Sequence, residues 1–263
     1  MDNLNHLISQ YEQGELSQAF AHIFKQLPLP LTTEISLHAD GLNALRPNNA
    51  EYSFIDQDSC QLQGYYEEII YRDRVIPTRR NNLHDLCNGL IWLLMPKTKA
   101  LLNELHIEQI RKIGLSPRGR VRDRITHFDE CGIVLFCHQV DVITDLSQHN
   151  WQSLFIHKKE LWHRNIRPFV FGHANLEMLL APFIGLTAKA LVINLDCPVD
   201  SLSQCQLDQH LANYLVTNNL FERPRPLKPL PILGVPGWYG AEQTTEFYGN
   251  KDYFMPLREK ASQ

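Results

Sequence analysis

The chain has 263 residues, of which 44% are hydrophobic and 21% are charged, and its 25 basic and 29 acidic side chains give a net charge of −4. This composition is typical of a packed globular protein and excludes a largely disordered chain. The mild acidity argues against a general coat of nucleic-acid-binding charge, although a local basic patch is compatible with it. Without an internal repeat or a long linker, the sequence predicts one domain over residues 1–263, with a helical N-terminal region over residues 1–30.

Three sequence features bear on the cellular compartment. The N-terminal residues have neither the basic nor the apolar segment of a secretory signal. The longest apolar stretch, residues 178–194, is interrupted by Pro182, Gly185 and Lys189 and is too short to span a bilayer. The six cysteines form no C-x-x-C pair, which argues against a zinc ribbon and favours reduced, buried thiols. We therefore expect a cytoplasmic protein with no membrane partner.

The N-terminal part of the chain is predicted to be helical and then irregular. Apolar residues at helical spacing predict two helices within residues 4–27, ended by Pro28. Residues 38–63 are polar and are predicted mainly as loop. The β-branched and aromatic residues of 65–76 predict a strand that ends at Pro77.

The segment that follows carries clear helix signals. Asn82 is an expected N-cap for a helix over residues 83–95, and Pro96 is expected to open a second helix. The apolar positions of that second helix are Ala100, Leu101, Leu105 and Ile110.

The C-terminal half is predicted to mix short strands with helices. Residues 125–128 and 133–140 are expected to form a hairpin whose turn contains Gly132. The further expected elements are a helix over 151–164, a strand over 168–171, a helix over 172–180, a strand or helix end over 188–195, a helix over 207–215 and an extended, proline-rich segment over 224–240. This mixture predicts an α+β fold of helices and short strands.

The first candidate site lies at the start of the helix over residues 83–95. His84 and Asn88 share a face with Ile91 and Trp92, so two polar side chains lie on the stripe that should face the core. Such a pair must be hydrogen-bonded or line a cleft. Asp85 follows at the helix N-terminus, where a carboxylate can cap the backbone or take part in chemistry. The alternative interpretation is a buried structural network.

The second candidate site follows the apolar run Phe169–Phe171. His173 and Glu177 are four residues apart and share a face if the segment is helical. A histidine and a carboxylate at this spacing can bind a metal ion, or pair as a general base with its orienting acid. A surface ion pair, or a histidine held for packing, is the alternative.

A third group contains Asp123, Asp129 and Glu130. Their carboxylates could supply oxygen ligands to a hard cation such as magnesium. Asp129 and Glu130 also precede Gly132, and ordinary turn chemistry at the predicted hairpin explains them as well.

The fourth candidate is a basic segment over residues 111–124. Its cations are Arg111, Lys112, Arg118, Arg120, Arg122 and Arg124. If residues 118–124 are extended, their four arginines point the same way and suit phosphate groups, and Arg79 adds to them. A solvated face paired with neighbouring acids is the alternative.

Several strings together resemble an uncharacterised proteobacterial family, the domain-of-unknown-function family 3025. They are VIPTR at 75–79, NLHDLCN at 82–88, Trp92, PKTK at 96–99, GRVRD at 119–123, FDECG at 128–132, FGH at 171–173, the segment 229–238 and FMPLR at 254–258. The resemblance covers a core of residues 65–258. It implies no activity, substrate or cofactor.

Four common enzyme motifs are missing from the sequence: the Walker loop, the dinucleotide-binding glycine motif, G-x-S-x-G and H-E-x-x-H. Our leading hypothesis is a hydrolase that uses a divalent metal ion on a small phosphorylated or otherwise anionic substrate. His84, Asp85, His173 and Glu177 would be the catalytic groups. The metal ligands would come from Asp123, Asp129 and His173, and the anion would be held by Arg79, Arg120 and Arg122.

This hypothesis requires His84 and His173 to lie within about 12 Å of each other beside a pocket. The main alternative is a non-catalytic module that binds nucleic acid or protein through residues 111–124. A structural protein whose polar motifs only hold the fold is a further alternative.

Overall fold

The computed structural model describes residues 7, 10, 13–14, 17–25, 27, 39–58 and 62–257. The helices in this part are α1 (Gln18–Phe24), α2 (Ala39–Ala44), α3 (Tyr66–Asp73), α4 (Leu83–Leu94), α5 (Pro96–Ile113), α6 (Arg120–Cys131), α7 (Ile143–Gln148), α8 (His173–Met178), α9 (Gln204–Thr217) and α10 (Thr245–Gly249). The strands are β1 (Ser53–Asp56), β2 (Val75–Thr78), β3 (Gly132–Cys137), β4 (Ile166–Val170), β5 (Thr187–Asn194) and β6 (Lys228–Pro231).

The strands form two small sheets. In the larger sheet the order is β4-β3-β5-β6, with β3 parallel to β5 and the outer two pairs antiparallel. All six residues of β3 are buried, as a central strand requires. The smaller sheet pairs β1 with β2 in parallel. The predicted α+β fold is confirmed.

The two central helices begin where the sequence predicts. The Asn82 side chain accepts the backbone N–H of Asp85 at 2.9 Å and so caps α4. Pro96 occupies the first turn of α5, where its missing N–H costs nothing. Asp208 of α9 accepts the backbone N–H groups of Lys97 and Thr98 at 2.8 and 2.9 Å. The Asn82 contact fixes the start of α4, which carries His84. The Asp208 contacts fix the start of α5, which carries Lys99.

One glycine brings two functional segments together. Gly172 lies at the N-terminus of α8, and a Cβ atom there would lie 2.4 Å from the Gly132 nitrogen and 2.5 Å from the Glu130 carbonyl oxygen. Only glycine permits such a close approach of two backbones. The consequence is that the first turn of α8 lies directly beside the end of α6.

Two predicted strands are wrong. Residues 65–76 form α3 over most of their length, and only residues 75–78 are extended, because Glu68 accepts the Tyr65 backbone N–H at 3.2 Å and starts a helix. The predicted hairpin over 125–140 is also wrong in its first arm. Residues 120–131 form α6, since Arg122, Ile125 and Phe128 bury one helical face, and the residues expected in the turn close this helix.

The other predictions differ less from the structure. The predicted helix over 151–164 is a π-helical turn at Ser153–His157 followed by a 3-10 turn at Lys159–Leu161. The loop predicted over 38–63 contains α2 and β1. Of the two helices predicted within 4–27, the second is found as α1, and most of the first lies outside the described residues. In the described part, no helix is both long and apolar enough to cross a membrane.

Candidate metal centre

Three helix ends meet at the candidate centre. His84 is the second residue of α4, His173 is the first residue of α8, and Glu130 is the penultimate residue of α6. One ligand atom of each residue lies within 4.8 Å of the other two. His173 is buried, whereas about a third of each of the other two side chains is exposed. The predicted approach of His84 and His173 is found in the structure.

The distances between the three ligand atoms fit one metal ion. His84 Nε2 lies 3.1 Å from His173 Nε2, and Glu130 Oε2 lies 3.3 Å from His173 Nε2 and 3.8 Å from His84 Nε2. A circle through the three corners of this triangle has a radius of about 2.0 Å, and zinc binds imidazole nitrogen and carboxylate oxygen at about 2.0–2.2 Å. An ion can therefore contact all three atoms from a position close to their plane.

Further carboxylates lie behind both histidines. Glu177 Oε2 lies 3.0 Å from His84 Nδ1, so that Nδ1 can carry the proton and leave Nε2 as an acceptor, for His173 Nε2 at 3.1 Å in this structure or for a metal ion. Asp129 Oδ2 lies 3.9 Å from His173 Nδ1, which has no hydrogen-bond partner among the described residues. At His84 this is the arrangement of a metal-binding histidine oriented by an outer carboxylate, whereas Asp129 is too far from His173 Nδ1 for a hydrogen bond.

Lys99 holds the outer carboxylate in place. Its side chain is only 5% exposed, and its ammonium donates to Asp129 Oδ1 at 2.5 Å and to Asn88 Oδ1 at 2.8 Å. The ammonium also lies 5.6 Å from the centre of the Trp92 ring, within the range of a cation–π contact. Lys99 thereby links α4, α5 and α6 behind the centre.

Burial and charge set the protonation of the centre. Burial lowers the pKa of His173 to about 4, so its imidazole is neutral at pH 7, the form that binds metal. Burial alone would raise the pKa of Asp129, but the Lys99 ammonium and His173 outweigh it and the pKa lies below its usual value. Burial raises the pKa of Glu130, which His84 partly opposes. A bound cation would favour the ionised form of Glu130.

A cavity of about 360 Å³ opens beside the centre. Its walls are mostly polar and include His84, Glu130, His173, Asn88, Thr126, Gln57, Arg79 and Arg118. This volume suits a small molecule. The two arginines are the cationic groups of the wall that are at least one-third exposed.

Asp85 and Arg79 form a pair on the cavity wall. Asp85 accepts the Arg79 backbone N–H at 2.7 Å and the Arg79 guanidinium at 2.7 and 3.0 Å. Hydrogen bonding to this carboxylate raises the pKa of Arg79. Asp85 is therefore occupied by Arg79 rather than directed at His84 and His173, and the cap of α4 is Asn82.

The structure does not bring Asp123 to the centre. It lies on the exposed face of α6, where Arg118 Nε is 3.5 Å from its carboxylate. Seven residues of helix separate it from Glu130, which is about 10 Å along the axis. The third residue of the triangle is instead Glu130, which the sequence pattern places in a hairpin turn together with Asp129.

The predicted row of arginines is wrong. Because residues 120–124 are helical, their side chains spread around α6 instead of lining up. Arg122 is buried and donates to the Leu115 carbonyl at 3.0 Å, and Arg124 donates to the Phe221 carbonyl at 2.8 Å. Arg120 is exposed in the first turn of α6, about 15 Å along the axis from Glu130. Arg79 and Arg118 are the arginines that reach the cavity.

Residues 52–258 of the chain match the model of one protein family, which is described as protein of unknown function, DUF3025. The match begins before the predicted core of 65–258 and takes in β1. Neither the curated proteins nor the solved structures give a match. The matched range contains His84, Glu130 and His173 with their outer partners. The chain therefore belongs to the DUF3025 family.

Proposed function

We propose that this protein is a metal-dependent hydrolase in which His84, His173 and Glu130 bind one zinc ion or a similar divalent ion. The observation that carries the proposal is the triangle of three ligand atoms, whose dimensions match the bond lengths of such an ion. Two histidines and one carboxylate leave at least one position for water. Three protein ligands with an open position are the pattern of catalytic zinc sites.

The chemistry follows from the open position. A metal ion lowers the pKa of its bound water to about 7 and supplies a nucleophile at neutral pH. The cavity presents that water to a substrate of limited size, and Glu177 orients the His84 imidazole through a contact of 3.0 Å. Because His173 is buried, bulk water would not reach the ion from the side of this residue.

Charge around the cavity supports an anionic group on the substrate. Arg118 has an exposed guanidinium on the wall, where it hydrogen-bonds to Thr126 and pairs with exposed Asp123. Surface pairs of this kind contribute little and exchange readily for a substrate carboxylate or phosphate. The alternative of a binding module over residues 111–124 has less support, since Arg122 and Arg124 are occupied by backbone carbonyls. The cytoplasmic location stays a prediction from the sequence.

The test compares chelator-treated chain with chain reloaded with zinc, using p-nitrophenyl phosphate and the uncharged ester p-nitrophenyl acetate. We expect hydrolysis only after reloading. We further expect Arg118→Gln to raise KM for the phosphate about tenfold while leaving the acetate reaction unchanged, because one charge-assisted contact is lost. Arg164→Gln, which changes an exposed arginine away from the cavity wall, is the matched control. Equal rates with and without metal would contradict the proposal.

A further inference from the structure

A second, smaller chamber lies behind the metal centre. Its volume is about 50 Å³, and it shares four lining residues with the larger cavity: Tyr66, Glu67, His106 and Asp129. This volume leaves room only for a few groups of the size of water. Trp92, Ile70 and Leu102 form its apolar side.

Three of the lining side chains carry a buried polar atom that has no partner among the described residues. These atoms are Asn103 Oδ1, His106 Nδ1 and Glu67 Oε2. Asn103 and His106 are only 4% and 6% exposed. The Asn103 amide nitrogen donates to the Glu67 carbonyl at 2.9 Å, which fixes the amide so that its remaining atom is an acceptor. Buried groups in native proteins are nearly always hydrogen-bonded, so these atoms require a partner.

The unpaired atoms need a donor. Asn103 Oδ1 and an ionised Glu67 carboxylate can only accept, and a neutral imidazole offers an acceptor as well. Burial lowers the pKa of His106 to about 4, so this ring is neutral at pH 7. Each water has two protons to give, so more than one would be needed to pair all three atoms, whereas one ammonium group has three or four.

The charge of the chamber points in the same direction. Two carboxylates, Glu67 and Asp129, line it together with one ammonium, Lys99. The Lys99 ammonium is already bonded to Asp129 and Asn88. Burial raises the pKa of Glu67, and Arg122 and Arg118, which do not line the chamber, oppose this rise only in part. Among the lining side chains the two carboxylates therefore outnumber the ammonium by one.

We propose that this chamber is a binding site for an ammonium ion or for the terminal ammonium group of a small primary amine. The site would be formed by Asn103, His106 and Glu67, and the volume limits the ligand to ammonium itself or a group of the size of methylammonium. Binding does not depend on the metal ion.

The meaning of this site for the reaction rests on the proposed function. If the metal-bound water attacks a carbon–nitrogen bond of an amide, the carbon–oxygen bond forms and the carbon–nitrogen bond breaks. An amide and water then give a carboxylate and an ammonium ion, with the protons of water transferred to the leaving nitrogen. A chamber that accepts ammonium next to the metal centre points, among the anionic substrates of the proposed function, to those in which an amide or related carbon–nitrogen bond is hydrolysed.

The test titrates isotope-labelled ammonium chloride into the chelator-treated full chain and records proton–nitrogen correlation spectra. We expect a saturable signal from bound ammonium that methylammonium displaces and tetramethylammonium, which is too large and has no N–H, does not. Glu67→Gln keeps the shape of the side chain and removes its charge, so we expect binding about tenfold weaker. Asn103→Leu removes the acceptor and should abolish the signal.

Two results would overturn the inference. One is the absence of any saturable ammonium signal in a chain whose melting curve shows it to be folded, which would assign the chamber to water alone. The other is a signal that survives unchanged in both Glu67→Gln and Asn103→Leu. Because the chain is metal-free in this experiment, neither result affects the zinc site, and a missing zinc site would not abolish the ammonium signal.

Discussion

Replacing His173 by alanine is expected to weaken zinc binding by more than about a hundredfold. Loss of an outer partner of a metal-binding histidine already costs about 10- to 100-fold in affinity, and His173 supplies a ligand atom itself. In the structure its Nε2 lies within 3.3 Å of both other atoms of the triangle, so its removal leaves two of the three proposed ligand atoms. Zinc affinity measured by competition with a chromophoric chelator checks this expectation.

Two further variants separate metal binding from folding. His173 is buried, and its removal leaves space at the start of α8, whereas His84 is about one-third exposed and its replacement disturbs packing less. His84→Ala should therefore lose zinc binding with a nearly unchanged melting temperature. His127→Ala, which changes an exposed histidine on α6, is the matched control and should bind zinc as the wild type does. If His173→Ala and His84→Ala both bind zinc as tightly as the wild type, the proposed metal centre is contradicted.

Acid is expected to destabilise the fold between about pH 6.5 and pH 4. The pKa of His106 is about 4 in the folded chain because of burial, and about 6.5 in the unfolded chain. Above pH 6.5 the ring is neutral in both states and contributes no pH dependence. Between the two values only the unfolded chain takes up the proton, so stability falls as pH falls. Across this interval the lowered pKa of His106 alone reduces the free energy of unfolding by about 3 kcal/mol.

The measurement is the free energy of unfolding in urea from pH 7 to pH 4. His106→Leu should flatten the curve by about 3 kcal/mol over this interval, because leucine does not titrate. The pKa of His173 is lowered in the same direction, so part of the acid loss should remain in the variant. His127→Leu, at an exposed site, should reproduce the wild-type curve. An unchanged pH slope in His106→Leu would contradict the assigned burial of this ring.

Sequence patterns are sufficient for the elements whose signals are local. The cap at Asn82, the proline at the start of α5 and the glycine before His173 each mark a helix start, and the structure has a helix at each. The polar residues on the inner face of α4 indicate that His84 faces a cleft. The approach of His84 to His173 can only be hypothesised from the sequence, since it depends on the contact between the Gly172 and Gly132 backbones.

The sequence pattern does not single out Glu130, the third residue of the proposed centre, for a physical reason. Residues 125–128 are rich in β-formers, and the glycine after them suggests a turn, so the pattern favours a hairpin around Glu130. The helical signal is the buried spacing of Arg122, Ile125 and Phe128, but an arginine is rarely a core residue and the spacing is therefore hidden. Lys99 stands out only as part of the PKTK string, because its role depends on the packing of α5 against α6.

One divalent ion is expected to bind between His84, Glu130 and His173, and all the proposed chemistry depends on it. Elemental mass spectrometry of the untagged chain, purified without chelator and dialysed against trace zinc, tests this most directly. We expect about one zinc or similar ion per chain in the wild type, and almost none in Glu130→Ala and His84→Ala at unchanged fold. A metal-free wild-type chain, or equal metal content in the wild type and both variants, would contradict the assignment.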